Sequence, residues 1–331
     1  DHGATVVKVE SETKMDAARG FMPIHDNEPG AEQSVLFDDM NAGKLSITLD
    51  MSRPKARDVA RDLVKWADVV IESFSPRAMP AWEMSYEDLR RINPSLIMLS
   101  TCLTGQTGPL AGFAGYGNLG AALAGFYGLG GWPDRPPAGP FGAYTDYTST
   151  HFQLAALLAA LDHRRRTGEG QYLDVSQAEA AMMFLAPELL AASVTGTASE
   201  PTGNDDPVMA PHGVFPAAGD DQWVAIVCQN DEAWPALAEL IGRTDLADDV
   251  ALVSAEGRRQ RNDELADAIS TWSRGLDAEA AAVACQEAGV AADRVQNSPE
   301  CLADPQLAAR GHFVDLDHPR RRCLVEAGRF R

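Results

Sequence analysis

The chain has 331 residues, 45% of them hydrophobic, enough to bury two cores or one core with a large appendage. Its 48 acidic residues against 28 basic ones leave a net charge of −20, which argues against nucleic acid or an anionic membrane as partner, since either needs a basic face. Five cysteines, Cys102, Cys228, Cys285, Cys301 and Cys323, stand far apart without CxxC spacing, so neither a disulfide framework nor a metal site is indicated and a reducing, cytoplasmic setting fits. No signal peptide and no apolar run long enough to cross a bilayer is read.

In chain order, residues 4–10 form a short β-branched run ending in a charge, the pattern of a buried parallel strand, and residues 45–49, 68–72 and 96–101 repeat it. Between them the spacing predicts a helix over 54–66, with Ala56, Val59, Ala60, Leu63 and Val64 on one face. A second helix is predicted over 86–92, capped by Ser85. Alternating strands and helices indicate an α/β fold with a doubly wound, Rossmann-like parallel sheet. Ligands of such sheets sit beyond the carboxyl ends of the strands.

Gly115-Tyr-Gly117-Asn-Leu-Gly120 matches G-x-G-x-x-G, but a Gly/Pro loop separates it from the preceding strand, so a dinucleotide site is not inferred. A helix is expected over 119–127, its glycines allowing close approach to a ligand. Residues 128–145 hold nine glycines and prolines, suggesting backbone that lies close to something other than its own side chains.

That loop delivers Asp146 to the start of a long apolar helix, which closes on Arg164, Arg165, Arg166 and Gly168. Asp146 is either an ordinary helix cap or a functional carboxylate, and the helix N-terminus is expected to hold it ionised. A strand follows over 171–175 and a helix over 176–194, whose Met182, Met183 and Phe184 are read as core. The polar, Gly- and Pro-rich stretch 195–211 is the clearest linker. The domains expected are therefore 1–194, large, and 212–331, a smaller α+β unit with a strand over 222–228 and helices over 231–241, 258–272 and 277–288. His212 is assigned a structural hydrogen bond.

Four motifs carry a resemblance. They are Gly3-Ala-Thr-Val-Val-Lys-Val-Glu10, Asn41-Ala-Gly-Lys-Leu-Ser-Ile-Thr-Leu-Asp50, Ala67-Asp-Val-Val-Ile-Glu-Ser-Phe74, and the run from Asp146 through His163-Arg-Arg-Arg-Thr-Gly-Glu-Gly-Gln-Tyr-Leu-Asp-Val-Ser176-Gln-Ala-Glu-Ala180. In content and order they resemble the family III CoA-transferases of CaiB/BaiF type, over nearly the whole chain. The resemblance implies CoA as substrate rather than as a tightly bound cofactor, and Asp146 as the nucleophile, which attacks the donor acyl-CoA to give an aspartyl anhydride and then an aspartyl-CoA thioester that the acceptor carboxylate attacks. It also implies CoA contacts from Leu49, Ser73, Phe74 and Tyr116, with Lys44 and Arg53 as phosphate partners by charge alone. Partners implied are a second copy in an interlocked-ring homodimer, or a tandem or heteromeric transferase half. Both ends read as missing, including a C-terminal return segment. The rivals are an α-methylacyl-CoA racemase, which needs an acid/base pair and for which no histidine lies between His25 and His151, and a non-catalytic subunit.

Overall fold

The computed structural model describes residues 3–25, 30–318 and 321–327. The chain divides into two compact units, 1–201 and 202–331, and the division falls inside the stretch read as a linker.

The first unit is parallel α/β. Strands β1 (Val7–Glu10) and β2 (Leu45–Thr48) pair in parallel, Val7 opposite Leu45. Strands β3 (Val69–Glu72), β4 (Ile97–Cys102) and β5 (Tyr172–Ser176) form a second parallel sheet in that order. The strands thus fall into two hydrogen-bonded sheets rather than one, and the three-stranded order does not reverse. Except for β1, which starts three residues late at Val7, the strands of this unit lie within one residue of their expected bounds, because short β-branched runs between charged or breaker residues are locally legible.

The Pro54–Trp66 helix has Pro at its first turn, and its backbone ends where Ala67 turns extended. Only Ala60 and Val64 of the expected face are buried, whereas Val59 is exposed. The Tyr86–Ile92 helix begins with a capping box in which Ser85 and Asp88 satisfy each other's backbone amides. With Met79, Met84, Leu96 and Met98, these two helices close a core over one part of the unit. The 24-residue Tyr144–Thr167 helix connects back to β5, and Gly168 ends it at φ 80°, the left-handed stop that glycine adopts without strain.

Two helical expectations in this unit need correction. The segment expected as one helix over 119–127 is Gly117–Ala124 followed by a separate turn Phe126–Leu129, because Gly125 at φ 104° breaks it. The segment 176–194 is Gln177–Met182, a 3-10 turn Met183–Leu185 and Ala186–Thr195. Together, residues Gln177–Thr195 are long and apolar enough to span a bilayer by length and composition, contrary to the reading of no such run. Glu179 and Glu188 interrupt it, and Ala178, Ala180 and Ala181 are buried within the unit. Met183 and Phe184 are exposed, at 61% and 51%, so they are not the core residues expected.

The second unit is antiparallel α+β. Strands β6 (His212–Pro216), β7 (Trp223–Val227) and β8 (Ala291–Arg294) form a sheet in that order. Helices Ala233–Leu240, Asn262–Ser273 and Ala278–Glu287 supply Trp234, Leu237, Leu265, Ile269 and Cys285 to its core. The single helix expected over 258–272 is two, Ala255–Gln260 and Asn262–Ser273, with a break at Arg261. His212 hydrogen-bonds through Nδ1 with the Asn204 carbonyl. Strands β9 (Phe313–His318) and β10 (Arg321–Glu326) pair antiparallel.

Candidate active site

Asp146 lies in the first turn of the Tyr144–Thr167 helix, but it does not cap it. The cap position is Ala143, which has no side chain to offer. The Asp146 carboxylate points instead to a neighbouring helix, where the Gly117 N–H donates to its Oδ2 at 3.3 Å. Gly117 is the first residue of the Gly117–Ala124 helix, so this amide has no partner within its own helix. The reading of Asp146 as the cap of its own helix therefore fails, and its carboxylate is bonded instead to the Gly117 N–H and the Gln177 side chain.

The close approach of these helices explains the glycines. A Cβ on residue 117 would fall 2.5 Å from the Ala143 carbonyl oxygen and 2.8 Å from the Asp146 nitrogen. Buried Thr145 locks the same contact by donating its hydroxyl to the Gly117 carbonyl at 3.2 Å. The glycines expected to admit a ligand thus admit a second helix. In the loop before Asp146 the explanation is similar: a Cβ on Gly139 would sit 2.1 Å from Cε2 of Tyr127, so that stretch packs against its own unit.

A cavity of about 400 Å³ opens over this junction, lined by Phe21, Tyr116, Asn118, Tyr127, Pro140 and Asp146 together with backbone at Gly142 and Ala143. Phe21 meets Tyr116 edge to face, 6.0 Å between centroids. Three aromatic rings, Phe21, Tyr116 and Tyr127, thus share the wall with one carboxylate, Asp146. Burial pushes the Asp146 carboxyl above the ordinary aspartate value, while hydrogen bonds from the Gly117 amide and the Gln177 side chain pull it partly back. The expectation that the helix N-terminus dominates is corrected, because desolvation is the larger effect.

The structure brings Tyr116 and Asp146 together and leaves the other candidates outside this cavity. Ser73 and Phe74 follow β3 at its carboxyl end, with Phe74 47% exposed and edge-on to Trp82 at 5.2 Å. Leu49 follows β2, donates its N–H to the Glu10 carbonyl at 2.8 Å, and packs partly buried beside a hydrophobic core. Lys44 is lowered by burial and by the charge of Lys8, and donates to Asn41 Oδ1 at 3.0 Å. Arg53 is largely exposed and pairs with Asp50. Residues missed from sequence are Phe21, Asn118, Tyr127, Thr145 and Gln177. Gln177 lies inside the motif that runs on from Asp146, which is the one signal that could have found it.

Residues 1–331 match the family model described as CoA-transferase family III. The chain belongs to CoA-transferase family III. Relatives include a succinyl-CoA–D-citramalate CoA-transferase of Chloroflexus aurantiacus, 32% identical over 96% of this chain and 78% of that protein. Another is an acetyl-CoA:oxalate CoA-transferase of Acetobacter aceti, 34% identical over 95% of this chain and 79% of that protein. A solved CAIB/BAIF family protein from Brucella suis superposes with a TM-score of 0.90 at 30% identity, covering 99% of this chain and 85% of that one. The family III assignment makes this chain a CoA-transferase.

Proposed function

We propose that Asp146 is the nucleophile of a CoA-transferase that works through covalent aspartyl intermediates. The observation that carries this is the Asp146 carboxylate itself, half buried at the edge of an aromatic cavity, uncommitted to its own helix and held through one oxygen by the Gly117 N–H.

In the first step an Asp146 carboxylate oxygen attacks the donor acyl carbonyl and the C–S bond breaks, giving a mixed anhydride and CoA thiolate. The thiolate attacks the Asp146 carbonyl, the donor acid leaves as its carboxylate, and an aspartyl-CoA thioester remains. The acceptor carboxylate attacks that carbonyl and expels the thiolate, which then takes the acceptor acyl group and frees Asp146. No net proton is consumed. The Gly117 N–H is placed to stabilise negative charge on the aspartyl oxygen, and burial that raises the carboxyl's basicity also strengthens it as a nucleophile.

CoA itself extends toward Ser73, Phe74 and Leu49 at the carboxyl ends of β3 and β2, as in open α/β sheets generally, with Tyr116 nearer the reacting thioester. The donor and acceptor are small carboxylic acids in a cytoplasmic setting, and the chain works as a homodimer or with a second transferase chain. The racemase alternative needs a second acid/base group across the substrate α-carbon. The described residues lining the cavity hold one carboxylate and no histidine, and His151 is exposed and bonded to the Thr148 carbonyl.

The test is mass spectrometry after incubation with acyl-CoA donors and hydroxylamine. A hydroxamate on the peptide carrying Asp146, absent from Asp146→Ala, is expected. An unmodified peptide with every donor tried, while transfer proceeds, overturns the reading.

A further inference from the structure

The carboxyl ends of β3, β4 and β5 carry a polar ladder away from the Asp146 cavity. Glu72, Ser100 and Asp174 stand in register across the three strands. Glu72 is buried, 8% exposed, and its Oε2 accepts the Phe74 N–H at 2.7 Å. Asp174 accepts the backbone N–H of Gln106 on both oxygens, at 2.9 and 3.1 Å. The Gln106 side chain then reaches back, its Nε2 donating to the Phe74 carbonyl at 3.2 Å.

Phe74 is thus held by its main chain from both sides, the N–H by a carboxylate of β3 and the C=O by a residue that β5 positions. Its ring is left half exposed and braced on Trp82. A loop side chain tied this firmly at a strand's carboxyl end is fixed before a ligand arrives, which reduces the ordering cost of binding. The anchor strand also leads toward the reacting group: Asp174 precedes Gln177, which touches Asp146, by three residues, a backbone reach of at most about 11 Å.

We propose that Gln106 is a positioning residue that fixes the Phe74 ring as a rigid rest for the nucleotide end of the CoA ester, a role that presupposes the CoA-transferase reading of this site. It acts through Phe74, not on the thioester. Substituting its side chain therefore changes affinity for the nucleotide part and leaves the reacting end unchanged.

Gln106→Met keeps the side-chain length and the backbone bond to Asp174 and deletes the carboxamide that supplies the Nε2 donor. The expected result is a KM for acyl-CoA raised about three- to tenfold, the usual scale for one lost hydrogen bond, with kcat within about twofold. The KM for the matching acyl-pantetheine, which lacks the nucleotide, stays unchanged. In Phe74→Leu the further change Gln106→Met has no additional effect, because both act through one ring. Equal loss with acyl-CoA and acyl-pantetheine, a fall in kcat at unchanged KM, or additive effects in the double variant each overturn the proposal. Wild type that forms no hydroxamate at Asp146 counts against the covalent mechanism itself. Wild type that forms it normally, beside a silent Gln106→Met, counts against this inference alone.

Discussion

The amide of Gly117 and the carboxylate of Asp146 meet where two helix beginnings cross, 3.3 Å apart, and the side-chain hydrogen at residue 117 is what permits the crossing. Backbone atoms of Ala143 and Asp146 occupy the space a Cβ would need, and backbone cannot rotate away as a side chain can. Gly117→Ala must therefore displace the Asp146 turn. The expected outcome is an overpacking cost of about 1–3 kcal/mol and a fall in kcat/KM of about a hundredfold, the scale of a misplaced reacting group. Gly115→Ala is the control, since its Cβ would meet only the side chains of Leu119 and Leu103. Parallel thermal melts and steady-state transfer rates check both, and equal effects at the two positions would contradict the account.

Asp146 also sets a pH dependence. Its folded pKa is raised above the unfolded value by burial, so the native state holds the proton more firmly than the unfolded chain. Wild-type stability therefore rises as pH falls through the raised pKa toward the ordinary aspartate value of 3.8, and at neutral pH the charged form is penalised. Asp146→Asn keeps an acceptor for Gly117 and loses the charge. It is expected to melt at a higher temperature than wild type at pH 7, with the advantage shrinking on acidification through that window, while transfer falls at least about 10⁴-fold as for other lost nucleophiles. A variant less stable than wild type at pH 7 would show that the ionised carboxylate contributes more to packing than burial costs it.

How far the sequence foretold this depends on the range of the interaction. Pro54–Trp66 and Tyr86–Ile92 are legible because proline, Ser85 and Asp88 act within one turn. Asp146 is legible as a position, since a breaker loop followed by a long helix is a local pattern. Its environment is not: the Gly117 amide lies 29 residues away in sequence, and its desolvation depends on which helices cross. The same holds for Phe74, whose carbonyl is held by Gln106 from 32 residues away. The glycines of the G-x-G-x-x-G match read as room for a ligand for a related reason, because helix–helix contact and ligand contact both require missing Cβ atoms.

Thr145 gives a separable prediction. Its fully buried hydroxyl donates to the Gly117 carbonyl, and the space opposite it at Gly120 would place a Cβ only 2.4 Å from Oγ1. Thr145→Val keeps the shape and removes the donor. A loss of about 1–2 kcal/mol is expected from the hydrogen bond removed in a buried site, with a smaller fall in kcat than Gly117→Ala. Chemical denaturation would detect it. An unchanged denaturation midpoint would show that the helix crossing does not depend on this bond.

Arg258 carries the corresponding prediction for the second unit. The sequence places it at the start of the helix expected over 258–272; its side chain is fully buried and spends its donors on four acceptors. Nε donates to the Ala210 carbonyl, Nη1 to the carbonyls of Leu252 and Val253 at 2.9 Å each, and Nη2 to Asp231 at 2.7 Å. The guanidinium thus ties the entry to β6, the turn before Ala255–Gln260 and the loop after β7 into one unit, a task that needs a planar fork of fixed donors. Arg258→Met fills much of the same volume but leaves three carbonyls without their donor, at a cost of about 1–3 kcal/mol for each that stays buried and unpaired, while Asp231, itself exposed, is left to solvent. Arg258→Lys restores the charge but not the fork and is expected to recover only part of that. Urea denaturation followed by the fluorescence of Trp234, buried in the same unit, measures both, and full rescue by lysine would mean that charge alone, without the guanidinium's geometry, holds these segments together.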